Sequence, residues 1–188
     1  VTREERTASG EAQQEGRNMT TGTRTERWNP SDQRAMRDAV ASFPTGVVVI
    51  TGMTDDGPRG FTCQSFVGLS QEPPLIAFAP ALSSSSWPSI QEIGRFCVNI
   101  LAHEQNDVAH AFATRSKRGS DKFIGIDWEN GPQGSPRLAG AHAWIDCTLE
   151  DVRVAGDHSL VVGRVIDLEI TPGEPLVYHR RTFGRFVS

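Results

Sequence analysis

Two polar interruptions in an otherwise apolar stretch carry the chemistry of this chain. The first is Thr62-Cys63-Gln64-Ser65, set inside the strand-like run GFTCQSFVGL; the second is Ser83-Ser84-Ser85-Ser86, followed by Trp87. A sequence that only packs two sheets has no use for small hydroxyl and amide groups at these places. A site that holds a flat heteroaromatic ring with hydrogen-bonding edges and a phosphate-bearing tail does. The serines follow an apolar strand and precede a helical segment at Trp87, where backbone amides and hydroxyls can meet a phosphate. A nucleotide-type cofactor is therefore the first chemical expectation. The plainer readings are a half-exposed strand for the first run and a solvated loop for the second. If 61–69 is one strand, Thr62, Gln64 and Phe66 share one face while Phe61, Cys63 and Ser65 share the other, and neither face is cleanly apolar.

Other candidate chemistry is thinner. No GxGxxG lies between a strand and a helix, and no Walker A loop is present, so a nicotinamide nucleotide would be used without a Rossmann domain. The five histidines, at 103, 110, 142, 158 and 179, show no ligand spacing such as HExxH and read as surface or packing residues rather than a metal site. Asp157-His158-Ser159 is not a catalytic triad, because neighbouring strand residues point to opposite faces. His158, just after a turn, is by itself an ordinary strand-end histidine, and Arg180 and Arg181 an ordinary solvated pair. Cys63, Cys97 and Cys147 form no CxxC pair and read as buried free thiols in a reducing compartment.

The elements that must position these residues follow from the pattern. Residues 1–28 are polar and without hydrophobic period, a disordered tail in which Met19 is a candidate natural start. A domain covering 29–188 begins at Asn29-Pro30-Ser31-Asp32, a helix-start signature. Met36, Val40 and Phe43 recur at helical spacing, which predicts a face packed on a sheet. Strands are expected over 46–53, 61–69, 75–79, 96–101, 142–154, 159–170 and weakly 176–180, with helices over 87–93 and 104–114. Residues 115–140 read as a long loop with at most one short element. Strands mostly follow strands, so the expectation is a mainly β fold, an antiparallel barrel with peripheral helices.

The chain has 188 residues, 37% hydrophobic and 22% charged, with a net charge of −4. That suits one globular domain and argues against nucleic acid or an anionic membrane as main partner. No apolar run approaches the length that spans a bilayer, and no signal-peptide pattern appears, which points to the cytoplasm.

Taken together, the segments resemble the short-chain flavin reductase family, the reductase components of two-component flavin-dependent monooxygenases and halogenases. The resemblance runs from Arg34 to Phe186. It rests on FPTGVVVIT (43–51), GFTCQSF (60–66), EPPLIAF (72–78), SxSW (Ser84 to Trp87), GRFCVNIL (94–101), DKFIGIDW (121–128), GDH (156–158) and PLVYHRRTFGRF (175–186). It implies a split β-barrel, usually a homodimer, with flavin in a groove at or near the dimer interface. It also implies reduction of FAD or FMN by NADH, followed by release of the reduced flavin to a partner oxygenase. Carried over, Thr62, Cys63, Gln64 and Ser65 would meet the ring edge and ribityl chain. Ser83, Ser84, Ser85, Ser86 and Trp87 would lie at the phosphates, and Phe112 near the adenine if the flavin is FAD. Thr45 and Gly46 would approach the ring, His158 would sit near the nicotinamide, and Phe183 would cover the same pocket.

One departure stands out: relatives often carry a lysine at or before the serines, where this chain has Leu82. A diphosphate would then be neutralised from elsewhere, with Arg115, Lys117 and Lys122 as candidates. Two other activities fit the same scaffold, an electron carrier that keeps FMN bound and an FMN-dependent amine oxidase. The GDH segment and the cation-poor serine run favour the reductase.

Overall fold

A computed structural model describes residues 27, 29 and 31–186; the predicted tail lies almost wholly outside them. In chain order the elements are α1 (Gln33–Val40), β1 (Thr45–Gly46), β2 (Val48–Thr54), β3 (Gly57–Cys63), β4 (Val67–Gln71), β5 (Pro74–Phe78) and α2 (Trp87–Ile93). There follow β6 (Arg95–Ile100), α3 (Asn106–Ala113), a 3-10 turn (Gly119–Phe123), β7 (Trp128–Asn130), β8 (Pro136–Leu138), β9 (Ala143–Ala155), β10 (His158–Ile170), β11 (Leu176–His179) and β12 (Thr182–Arg185). The fold is mainly β with peripheral helices, as expected. The strand number is higher than expected because several strands are only two to four residues long.

Seven strands form one antiparallel sheet in the order β3-β2-β6-β9-β10-β5-β4. Its two edges, β3 and β4, are consecutive in the chain and joined by residues 64–66 alone. A link from Cys63 to Val67 reaches at most about 14 Å, so the sheet must curl until its edges nearly meet. This is the physical origin of a split barrel: the split is spanned by Gln64, Ser65 and Phe66. The expected single strand over 61–69 is thereby corrected. Ser65 Oγ accepts from Ala79 N at 2.8 Å, pinning the crossing to the end of β5.

β2 explains the unbroken VVVI run. Val48 and Ile50 face the barrel core with Phe78, Trp87, Ile90, Phe96 and Val161. Val47 and Val49 face a second core with Leu101, Phe112, Phe123, Leu138 and Leu176. A strand buried on both faces has no polar side to alternate with. The second core exists because 115–140 is more than a loop. It supplies the 3-10 turn and the β7–β8 ribbon, which Arg137 ties to the sheet through Asp146, Asp167 and Glu169.

The helix expected after Asn29-Pro30-Ser31-Asp32 forms over Gln33–Val40, with Asp32 as N-cap accepting from Arg34 N and Ala35 N. Its predicted docking face does not hold. Met36, Val40 and Phe43 are 57%, 58% and 72% exposed, and no residue of α1 is buried. The helix is anchored instead at its C-terminal end, where Arg180 N donates to Ala41 O and Arg181 pairs with Asp38.

Candidate functional site

A cavity of about 620 Å³ opens where the barrel splits. One wall is the β3 end and the crossing, Phe61 to Ser65; a second is the segment after β5, Ala79 to Ser86. The third comes from the end of α3 and the following turn, with Phe112, Arg115, Arg118 and Lys122, and His158 closes one side. The second wall is zipped to the β9–β10 hairpin: Ala81 bridges His158, Leu82 N donates to Asp157 O, and Ser159 N donates to Pro80 O. The serine loop and the GDH turn thus form one backbone unit.

Hydrogen bonds already made within the chain decide which polar groups are available. Thr62 Oγ1 donates to Ala109 O at 2.7 Å, which locks α3 onto β3. Cys63 is buried, and burial pushes its thiol above the ordinary range; its sulfur lies 3.2 Å from Ser65 Oγ. Ser84 Oγ accepts from Trp87 N at 3.2 Å and Ser86 N at 3.4 Å, so it serves the start of α2. Ser86 is buried, its hydroxyl donating to Gly60 O at 2.9 Å. Gln64, Ser83 and Ser85 are exposed on the cavity, and none has a side-chain hydrogen bond among the described residues. These three are the uncharged polar side chains free to meet a ligand.

Gly60 is the hub. Its carbonyl accepts from Ser86 Oγ and, at 3.4 Å, from Lys122 Nζ, which also donates to Phe112 O at 2.7 Å. A Cβ at this position would come within 2.7 Å of the Phe112 ring, so only glycine lets α3 lie this close to β3. Lys122 is 5% exposed, and burial lowers its pKa from the ordinary lysine value. Its ammonium is committed to one carbonyl of β3 and to Phe112 O at the C-terminal end of α3, where it offsets the negative end of the helix. Phe112 is 1% exposed, T-stacked on Phe123 at 4.8 Å, and lines the cavity as its floor with no free ring face.

His158 Nδ1 lies 2.7 Å from Asp157 Oδ1, and that hydrogen bond holds the Asp157 carboxyl below the usual carboxylate range. The pairing fixes the imidazole's orientation and leaves Nε2 unengaged by Asp157.

Of the residues expected from sequence, Thr62, Cys63, Gln64, Ser65, Ser83 to Ser86, Phe112 and His158 come together here. Trp87 does not: its ring is buried at 5.3 Å from the Phe78 ring, a core position set by its place at the first turn of α2. Thr45 and Gly46 lie in β1 and pair with Tyr178 and Val177 of the three-stranded sheet β1-β11-β12, outside the cavity lining. Phe183 is also outside it, packed edge-on against His110 and Tyr178. Lys117 does not line the cavity, whereas Arg118, which the sequence reading passed over, does. Residues 114–118 follow no regular period, so no spacing signals which of the charges in TRSKR turn inward.

A cavity with neutral hydroxyl and amide groups on two walls, cations on the third and a histidine at the side fits a flavin nucleotide by chemistry alone. Comparison with known proteins agrees. The model of the flavin reductase like domain matches residues 40–186. This chain belongs to the flavin reductase family.

It is 48% identical over 150 residues to the reductase subunit HsaB of a flavin-dependent monooxygenase from Rhodococcus jostii, covering 79% of this chain and 75% of that one. Among solved structures, the NADH:FAD oxidoreductase SgcE6 of Streptomyces globisporus superposes with a TM-score of 0.83 at 31% identity, over 88% of this chain and 99% of that one. The flavin reductase component BorF of a bacterial two-component tryptophan halogenase superposes with a TM-score of 0.78 at 36% identity, over 84% and 99%.

Proposed function

We propose that this protein is an NADH-dependent flavin reductase that takes FAD or FMN as a dissociable partner and passes the reduced flavin to a monooxygenase or halogenase. The observation that carries this reading is the division of labour around the cavity. Gln64, Ser83, Ser85 and the backbone of the crossing line the cavity with neutral hydrogen-bonding groups, while Arg115 and Arg118 line it with positive charge. A flavin supplies the hydride-accepting chemistry when bound, so the chain needs no nucleophile or strong acid of its own. Its own work is binding and orientation. The crossing and serine loop fix the ring's position, and His158, held by Asp157, orients the nicotinamide. Neutral donors at the ring edge favour the negative charge that reduction places there.

The cavity is open on one side, which suits a flavin that comes and goes. Three buried free thiols suit a reducing compartment, and the cytoplasm is the compartment proposed for it. The assembly proposed is a homodimer. Val67 and Leu69 on edge strand β4, with Ile166, Leu168 and Ile170 on β10, present exposed apolar side chains that association would cover. Sedimentation at micromolar concentration is expected to return twice the chain mass.

The deciding experiment is anaerobic mixing of the protein with NADH or NADPH and each of FAD, FMN and riboflavin, following loss of the oxidised flavin's visible absorbance. Catalytic bleaching with NADH is expected; no bleaching in any combination overturns the reading. His158→Ala is expected to lower the NADH-dependent rate by about 10-fold or more while flavin affinity stays within about 2-fold. Collapse of flavin affinity with an unchanged rate for bound flavin would remove His158 from its assigned place.

A further inference from the structure

The serine loop contains no cation, and the structure shows where positive charge enters instead. The residues lining the cavity include Arg115, Arg118 and Lys122 and no aspartate or glutamate. In a chain of net charge −4, a wall with three cations and no carboxylate is an asymmetry of position, set by the turn that follows α3.

The three cations are not equivalent. Lys122 is buried, with Nζ spent on Phe112 O and Gly60 O. Arg115 and Arg118 are exposed on the cavity, and among the described residues neither guanidinium has a hydrogen-bond or ion-pair partner. Five arginines elsewhere in the described residues are ion-paired, Arg59 with Asp56, Arg137 with Asp146, Arg153 with Asp151, Arg164 with Glu150 and Arg181 with Asp38, and are not available to a ligand. The end of a helix is an unfavourable place for a phosphate, because the last carbonyls present negative partial charge. Here Lys122 covers Phe112 O, and Thr114 Oγ1 donates to His110 O at 2.8 Å. With these carbonyls engaged, two guanidinium groups beyond them can accept an anion, and their planar forks match phosphate oxygens.

We propose that Arg115 and Arg118 hold the phosphate of the flavin nucleotide, replacing the cation that the serine loop lacks. The proposal rests on the reading that flavin occupies this cavity. It assigns the ring end of the cavity to neutral groups and the phosphate end to two arginines on an exposed turn. The same chemistry, a phosphate monoester or diphosphate, is present in the nicotinamide dinucleotide, and the test separates the two sources.

The test is equilibrium binding, read by quenching of flavin fluorescence, of riboflavin, FMN and FAD to the wild type and to the double variant Arg115→Ala/Arg118→Ala. FMN and FAD are expected to bind the variant about 10-fold to 100-fold more weakly, with riboflavin, which has no phosphate, changed by less than about 2-fold. For the wild type, raising salt from 50 to 500 mM weakens FMN and FAD and leaves riboflavin unchanged, a readout that needs no variant to fold. Equal loss for all three flavins overturns the proposal, since the turn would then only shape the cavity. No loss for any of them overturns it as well. A rise in the KM for NADH with unchanged FMN and FAD affinity also overturns it, by giving the arginines to the dinucleotide. If the wild type binds none of the three flavins, it is the proposed function that fails.

Discussion

The two facing walls of the cavity are built in opposite ways. The wall made of β3, the crossing and the serine loop is tied into the barrel through Thr62 to Ala109, Ser65 to Ala79, Ser86 to Gly60 and Ser84 to the start of α2, and only Gln64, Ser83 and Ser85 keep unbonded polar side chains there among the described residues. The wall after α3 has one buried brace, Lys122, and carries Arg115 and Arg118 free on its rim. Side chains already bonded within the fold cannot also hold a ligand. The first wall therefore fixes geometry through its backbone and a few free groups, while the second offers charge that a ligand can claim. If this is right, substitutions in the first wall change stability and those on the rim of the second change affinity.

The largest effect is expected where the walls meet. Gly60→Ala drives a Cβ to within 2.7 Å of the Phe112 ring and 3.1 Å of Ile50 O. It is expected to cost about 1–3 kcal/mol of stability in urea unfolding, and to weaken all three flavins together because α3 must move. Lys122→Met, close in size but without donors, leaves Phe112 O unpartnered and is expected to cost about 1–3 kcal/mol.

The pH dependence of that loss has a sign. Burial depresses the Lys122 pKa from 10.5, so the folded chain binds this proton more weakly than the unfolded chain. The side chain's contribution to stability then rises with pH in the alkaline window below 10.5, and the gap between wild type and Lys122→Met should widen there. A gap that narrows with pH would mean that the protonated form is the one the fold prefers.

Ser84→Ala removes the acceptor for Trp87 N and Ser86 N and is expected to cost about 1 kcal/mol, read as a lowered unfolding midpoint. The smallest change in stability belongs to Arg115→Ala/Arg118→Ala, within about 0.5 kcal/mol of wild type. A large destabilisation by this pair would erase the contrast between the walls.

Much of the cavity was legible because its chemistry is local. Polar residues inside apolar runs, at Thr62–Ser65 and Ser83–Ser86, marked two of its walls, and the GDH turn marked His158. The place of Trp87 was not legible, because an aromatic residue beside polar ones reads equally as a ligand contact or a core anchor, and only the fold shows its ring packed against Phe78 and Phe96. The exposed face of α1 was misread for a related reason. Met36, Val40 and Phe43 show the helical period of a buried stripe, but periodicity does not say whether a partner surface lies within the same fold.

By itself the sequence determined the mainly β character, the apolar strand that includes β2, the turn at Gly156-Asp157 and the neutral character of the serine loop. These follow from residue type and near-neighbour spacing, which act over a few residues. Only the tertiary structure decided that 64–66 bridges the split of a curled sheet, that Gly60 O gathers Ser86 and Lys122, and that Arg118 rather than Lys117 faces the cavity. Each of these joins segments 20 or more residues apart or depends on the path of an irregular turn. The interrupted strand and the serine run are visible in one dimension; the charge that answers them comes into place only when α3 is set down on Gly60.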